Sequence, residues 1–482
     1  MSSLHFKRIK PNVKFMGRQH EVTQLQNIAA AKEAAIIIVH GRRRIGKTEL
    51  IEQTYRKRNI LKFEGLENQN ETAQKRHVLY ELSRYTNNPH LAHLTSLSWV
   101  EIIELIAQNI DQQTCTLYFE EVQWLANYRS DFIAALKYVW DNTLRHNRNL
   151  LIVLCGSSPA FMIQKVIQSK ALYNRAQYEI PLQSFTLKET SELIGNKPQR
   201  AIMDAYLTIG GIPEYLKRIK KYSSLFLGIC TESFQRGAFF ATEHERIFIS
   251  SLAHNPNYQK IIAYLSHKKF ATREEIAKHL KTTLGGGLSD LLHDLASCGF
   301  LQEYTPYQLG AKSRLKRYCI GDAYLQFFFK FIEPHLDTIA QGRFNANPVE
   351  PVQHHAYSQW LGYSFERYCR AQHHLIATKL GFGGIRYHSG AFFNRETIKE
   401  KAGYQIDLLF ERADHTITLC EIKYLNKPAD KRVIQEFETK IDRFPLPSKH
   451  SIQKVLISAE GADQNLINTG YFDAILTLDD FF

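Results

Sequence analysis

The sequence predicts a multidomain α/β protein, and three observations carry that reading. Apolar strand-like runs alternate with helical stretches from about residue 15 to 185, the pattern of a parallel sheet covered on both faces. The run Gly41-Arg42-Arg43-Arg44-Ile45-Gly46-Lys47-Thr48 fits G-x-x-x-x-G-K-[ST] and lies between such a strand and a helix. A second group of strand-like runs, near the C-terminus, is interrupted by acidic and basic residues. With 482 residues the chain has room for about three domains.

The elements follow in order. Ala34-Ala35-Ile36-Ile37-Ile38-Val39 reads as a buried parallel strand, and Glu49 to Lys57 as the helix after the glycine loop. Ile60-Leu61-Lys62-Phe63 and Leu117-Tyr118-Phe119 are short strand candidates, and Leu150 to Cys155 is a strongly apolar one. A helical stretch surrounds Val78 to Tyr85, and Phe132, Leu136, Val139 and Trp140 recur at helical spacing. These define a P-loop domain over 13–185. Residues 186–250 read as a helical lid interrupted by the turn Gly210-Gly211-Ile212-Pro213. Residues 251–340 read as helices with two short strands, and Gly342 to Pro351 as a linker. The last domain, 353–482, opens with a helix and continues as strands and turns.

The formal net charge is +13, which favours a polyanionic partner, nucleic acid first among them. Seven scattered cysteines without a C-x-x-C pair argue against a disulfide framework and a zinc site. Met1 to Phe15 is basic without an apolar core, and Ala323 to Ile332 is too short to span a bilayer. No membrane role and a cytoplasmic location are therefore expected.

The glycine loop carries chemistry. Gly41 and Gly46 let the backbone curl so that N–H groups point at phosphate oxygens, and the following helix N-terminus adds positive potential. Lys47 would neutralise the β/γ-phosphates of ATP and Thr48 would ligate Mg²⁺. The acidic partner is supplied by Glu120-Glu121 at the end of Leu117-Tyr118-Phe119: Glu120 beside the metal, Glu121 polarising the attacking water. Ser157 or Ser158 could sense the γ-phosphate, a plain turn being the other reading. Arg175 is a candidate for transition-state charge, or else a surface arginine.

These residues resemble the archaeal-type P-loop ATPase family, a branch of the AAA+-related signal-transduction NTPases. The resemblance rests on Phe15-Met16-Gly17-Arg18-Gln19-His20-Glu21, the glycine loop, Glu120-Glu121-Val122-Gln123-Trp124-Leu125, Gly156-Ser157-Ser158 and Gly210-Gly211-Ile212-Pro213-Glu214-Tyr215-Leu216. It covers roughly residues 13 to 245. It implies that Gly17 and Arg18 lie near the adenine end of the site and that ATP and Mg²⁺ are the cofactors.

In the middle domain, Thr272 caps a helix and Glu275 completes a capping box. Leu288, Leu291, Leu292 and Leu295 mark one face of a second helix, and Phe300-Leu301 and Arg317-Tyr318-Cys319-Ile320 could form a wing. This looks like a winged helix-turn-helix whose basic wing, Lys312, Arg314, Lys316 and Arg317, could meet phosphates. The second helix shows Asp290, His293 and Asp294, poor chemistry for a DNA groove, so an intramolecular packing module is the equal alternative.

In the last domain, Glu421 and Lys423 are two apart on a strand and share a face, and a neighbouring strand can bring Asp407 beside them. Asp407 and Glu421 could bind Mg²⁺, Lys423 could steady a hydroxide or the phosphorane charge, and Glu366 could complete the metal shell. The arrangement resembles the restriction-endonuclease-like PD-(D/E)XK superfamily, without the proline before Asp407. Such domains recur at the C-terminus of the same ATPase family, so the resemblance implies a C-terminal nuclease-like domain over 353–482. The alternatives are an intact site or a degenerate domain with Asp407 and Glu421 paired to lysine or arginine. The functional expectation is an ATPase whose nucleotide state is coupled to a metal-dependent nuclease-like domain acting on nucleic acid, with DNA preferred. The alternative is an ATP-dependent regulatory DNA-binding switch that does not cut. A scaffold without nucleic-acid affinity is a third reading, and an arginine contributed across subunits would require a homo-oligomer.

Overall fold

The computed structural model describes residues 4–6, 9–110, 114–172, 174–252, 255–304, 307, 316–394 and 403–482, the side chains of 249–251 aside. Five strands form the N-terminal sheet: β1 (Ala35–His40), β2 (Asn59–Glu64), β3 (Cys115–Glu120), β4 (Leu150–Gly156) and β5 (Ala176–Pro181), in the order β2-β3-β4-β1-β5. Every neighbouring pair is parallel. β1, β3 and β4 are buried at every position, as strands covered on both faces must be. Their alternate residues feed two cores. Ile36, Ile38, Leu117, Phe119 and Ile152 serve one face, and Ile37, Val39, Tyr118, Val153 and Cys155 the other. Parallel pairing collects all C-terminal strand ends along one edge, where the P-loop and the acidic pair follow β1 and β3. β4 lies between them, so Ser157 stands between the phosphate loop and Glu121.

The lid consists of five helices, Leu187–Ile194, Gln199–Ile209, Pro213–Lys220, Leu225–Phe234 and Phe239–Ser251. The break at 210–211 is steric as well as conformational. Gly210 has φ 72°, and a Cβ on Gly211 would stand 2.1 Å from the Phe185 carbonyl oxygen. The middle module contains helices Pro256–Ser266, Arg273–Leu280 and Gly286–Ser297, with β6 (Ala271–Thr272), β7 (Leu301–Tyr304) and β8 (Arg317–Ile320) in an antiparallel sheet of order β6-β8-β7. The Thr272–Glu275 capping box is formed. Lys312 and Arg314 lie outside the described residues.

The C-terminal module opens with the helix His354–Ala371 and carries β9 (Tyr387–Asn394), β10 (Tyr404–Arg412), β11 (Thr416–Lys423), β12 (Ser451–Ser458) and β13 (Ala474–Leu476), in the order β13-β12-β11-β10-β9. β9, β10 and β11 are antiparallel and β11, β12 and β13 parallel. One hydrophobic core runs without interruption from Leu187 of the lid through Phe300 of the middle module to Phe410 and Val455 of this sheet. The lid and both later modules therefore share one interior.

Candidate functional site

The P-loop backbone takes the shape its glycines permit: Gly46 has φ 93° and Arg44 φ 67°. A Cβ on Gly41 would meet the Leu182 carbonyl oxygen at 2.5 Å. The helix Lys47–Thr54 starts at Gly46 with no side-chain cap, which leaves its first N–H groups to a ligand. Lys47 is buried, and its ammonium donates to the carbonyls of Gly41 and Arg42, both at 2.9 Å. It is thus held across the loop at the place where phosphate oxygens belong.

Arg42, Arg43 and Arg44 divide. Arg43 is exposed. Arg42 is ion-paired with Asp322 and lies over the Phe300 ring. Arg44 makes a two-pronged pair with Glu243 at 2.6 and 2.9 Å, and Tyr215 donates to the same carboxylate at 3.0 Å. The side chains of Arg42 and Arg44, expected in the phosphate cradle, instead tie the loop to the middle module and the lid, drawn by the buried carboxylates of Asp322 and Glu243. Arg18 is buried, donates to the Ile45 carbonyl at 3.1 Å and stacks over Phe185. Phe15, Arg18, Ile45, Phe185, Leu193 and Pro213 enclose a narrow apolar slot beside Gly46, so the Gly17-Arg18 turn does flank the loop.

Glu120 is buried and gathers three groups. Thr48 donates its hydroxyl to Oε1, the Tyr118 hydroxyl donates to the same oxygen at 2.9 Å, and the Lys62 ammonium pairs with Oε2. Thr48 and Glu120 thus present adjacent hard oxygen donors, the set Mg²⁺ accepts. Lys62 was not anticipated; it sits on β2 directly opposite Tyr118, and its register was the only signal. Glu121 has a left-handed backbone, φ 51°, and its Oε2 accepts from Ser157 N (3.1 Å), Ser157 Oγ (2.6 Å) and Gln123 Nε2 (2.5 Å). It is docked on the end of β4. Ser157 therefore contacts the acid at this site, and Ser158 is buried beside it.

Arg175 is not brought to the phosphates. It precedes β5, whose Ala176 pairs with Ile36 near the start of β1, so it lies at the N-terminal edge of the sheet. There it forms a two-pronged pair with Asp141 at 2.7 and 3.0 Å, which draws the Asp141 carboxyl down to about 2. The reading of Arg175 as a residue acting on its own chain's nucleotide is corrected accordingly. In the middle module's helix Gly286–Ser297, Asp290 and His293 are exposed and Asp294 is turned inward. Asp294 accepts from Tyr258 (2.6 Å) and from Gln164 of the N-terminal domain (2.8 Å). Of the wing residues described, Lys316 pairs with Glu303 and Arg317 lies over Phe270.

In the C-terminal module the antiparallel register Leu408↔Cys420 sets Asp407 across from Glu421. Both are buried. Asp407 Oδ2 accepts from Ile422 N at 3.1 Å and Oδ1 from Gln405 at 3.1 Å. Burial, with the Glu421 and Glu366 charges, pushes the Asp407 carboxyl up to about 7. Glu421 is gripped by Lys440 at 2.6 Å and Lys423 at 3.1 Å. Lys423 also pairs with Glu436 at 2.8 Å; burial lowers its proton affinity, but the Glu421 and Glu436 carboxylates outweigh that and raise it. Glu366 pairs with Arg370 (3.6 Å), and the Gln405 amide that donates to Asp407 also donates to it (3.4 Å), bridging the two carboxylates. Among the described residues no three His, Cys, Asp or Glu side chains are gathered to hold an ion as they stand. The adjacent Asp407 and Glu421 fit a hard divalent cation that keeps most of its waters, whereas Glu366 does not join them. Sequence reasoning missed Lys440 and Gln405. Gln405 was visible, two residues before Asp407 on the same strand face, while Lys440 reaches the site only through tertiary packing.

The helix Gln199–Ile209 links the two sites. Tyr424 donates to Asp204 (2.6 Å), Arg200 stacks on Tyr424 (3.7 Å to the ring centre) and Thr208 shares a hydrogen bond with Tyr357 (2.7 Å). Its C-terminal end runs into Gly210-Gly211-Ile212-Pro213, and Pro213 lines the slot beside Gly46.

Comparison with known proteins agrees with this geometry. Residues 15–219 match the family model of an ATPase domain predominantly from Archaea. An uncharacterized protein of Methanocaldococcus jannaschii is 24% identical over 360 residues, 73% of this chain and 76% of that one. The structure of the Walker-type ATPase PABY2304 of Pyrococcus abyssi superposes with a TM-score of 0.50 at 17% identity, over 67% of this chain and 99% of that one, a likeness of fold. The Aeropyrum pernix ORC2 protein is a more distant likeness, with a TM-score of 0.44 and 12% identity, over 70% of this chain and 98% of that one. No helix among the described residues is long and apolar enough to cross a membrane. Strand order, loop geometry and the family match agree on a P-loop ATPase fold for residues 15–219.

Proposed function

We propose that this protein is an ATPase that controls a metal-dependent phosphodiester-cleaving site on its C-terminal module, with nucleic acid as the substrate. The observation that carries the reading is the convergence of Asp407, Glu421 and Lys423 on one buried patch, with Asp407 raised to about 7 by burial and its acidic neighbours. Two buried carboxylates in such proximity store charge repulsion that a divalent cation relieves. Mg²⁺, when bound, would supply Lewis-acid polarisation and a more acidic water. Asp407 and Glu421 would hold it, and Lys423 would face the scissile phosphate as a point charge. Lys440, now on Glu421, would have to release it.

At the nucleotide site, Lys47 and the helix N-terminus would take the β/γ-phosphates, Thr48 and Glu120 the Mg²⁺, and the slot around Arg18, Phe185 and Pro213 the base. Glu121 would polarise water after leaving Ser157. The net charge of +13 favours a polyanion as partner. The inward contacts of Asp294 support the middle module as a packing element rather than a groove reader. A non-cutting regulatory switch is the second reading, favoured by the lysines that occupy both oxygens of Glu421.

The deciding experiment incubates mixed single- and double-stranded DNA and RNA with wild type, Lys47→Ala and Asp407→Ala, in Mg²⁺ or Mn²⁺, with and without ATP. Cleavage lost in Asp407→Ala and altered by ATP only when Lys47 is present supports the proposal. Cleavage that persists in Asp407→Ala removes the nuclease assignment, and turnover of ATP that persists in Lys47→Ala removes the ATPase one.

A further inference from the structure

A separate cavity of about 450 Å³ opens where the P-loop, the lid, the middle module and the first C-terminal helix meet. That volume lies in the range of small-molecule sites. Its walls include the outer side of Gly41 and Arg42, the loop after β5, the end of the helix Gly286–Ser297, and Arg367 and Tyr368 of the helix His354–Ala371.

The lining has a defined chemistry. Arg367 donates to Ser364 Oγ at 2.8 Å; among the described residues it has no carboxylate within the 4.0 Å of a salt bridge. Burial lowers its guanidinium to about 10, so its charge is held at a cost. Arg42, which also lines the cavity, has a buried Nε without a hydrogen-bond partner, although its other end pairs with Asp322. Tyr206 and Tyr368 both line the cavity and meet edge to face, ring centres 5.8 Å apart and planes 81° apart, an L-shaped aromatic wall. Gln302 and Gln372 line the space with amides that make no side-chain hydrogen bond among the described residues. The other charged lining groups are matched: Asp322 is taken by Arg42, and His40 faces Glu179 at 3.0 Å.

We propose that this cavity binds a nucleoside monophosphate, with its phosphate on Arg367, its base against the tyrosine wall and its polar edge read by the glutamine amides. An unpaired guanidinium calls for an anion, preferably a planar multidentate one such as phosphate. The aromatic wall and free amides call for a flat group bearing donors and acceptors. Neither feature alone selects a nucleotide; together, in a space of this size, they do. Because four parts of the chain form the walls, an occupant would hold them together and act as an effector separate from the triphosphate on the P-loop.

The test uses the full chain carrying Lys47→Ala, so that the P-loop site is disabled. Calorimetric titration with AMP, GMP, CMP, UMP and inorganic phosphate is expected to show one site per chain for at least one nucleotide. Adding Arg367→Met should weaken it by about tenfold or more, and Gln372→Trp, which fills the space, should do likewise while leaving the circular dichroism spectrum unchanged. No binding of any nucleotide at millimolar levels would overturn the proposal. So would binding insensitive to both variants, or phosphate binding as tightly as every nucleotide. ATP binding to otherwise wild-type protein carrying Gln372→Trp reports on the P-loop independently, so failure here leaves that assignment standing.

Discussion

Asp407→Asn should make the metal-free protein more stable at pH 8, although it removes a residue of the proposed cleavage site. The carboxyl sits at about 7 in the fold against 3.8 in an open chain. At about 1.36 kcal/mol per pH unit, the ionised form carries on the order of 4 kcal/mol of desolvation and repulsion. The sign follows from linkage. An acid whose folded value is raised stabilises the fold relative to its ionised form below about pH 4, and that advantage is lost as pH climbs to about 7. Asparagine keeps a carbonyl for the Ile422 N–H and never ionises, so the gain over wild type should grow from pH 4 to 7 and then level off. Thermal melting followed at pH 5 and pH 8 would show a gain of several degrees at pH 8 and a much smaller one at pH 5. Adding Mg²⁺ at pH 8 should stabilise wild type and not the variant, because the cation replaces the lost proton. A variant equally stable or less stable than wild type at pH 8, or a gain independent of pH, would refute the account of Asp407 as a strained acid.

Other outcomes are equally specific. Glu121→Gln should retain ATP affinity while turnover falls by about 10² or more, measured by phosphate release, because the charge proposed to polarise water is lost. Lys440→Met should destabilise the metal-free protein by about 3 kcal/mol in denaturant titration, since buried Glu421 loses its shorter ion pair. Arg175→Ala should leave ATP turnover within about twofold of wild type, as expected of an exposed ion pair at the far edge of the sheet; a hundredfold loss would reveal an arginine acting on a neighbouring subunit.

The ATPase half was legible because its chemistry is local. Gly41 to Thr48 and Glu120-Glu121 are contiguous, and the flanking strands are too apolar to be anything but buried. What the sequence concealed was partnership across distance. Nothing near Arg42 or Arg44 announces Asp322 or Glu243, which lie 280 and 199 residues away. Arg175 misled because strand direction, which decides the edge at which a residue lies, is not written in its neighbours. In the C-terminal module the two-residue spacing of Glu421 and Lys423 showed a shared face, but Lys440 comes from a helix that only packing brings over the strand.

The helix Gln199–Ile209 has a mechanical implication. Eleven residues of helix make a rod about 16 Å long. It is riveted to Tyr424, the neighbour of Lys423, and its far end is welded to the glycine turn beside the triphosphate loop. Tilting that turn must either drag the lysine-bearing strand along or shear the Asp204–Tyr424 and Thr208–Tyr357 links outright.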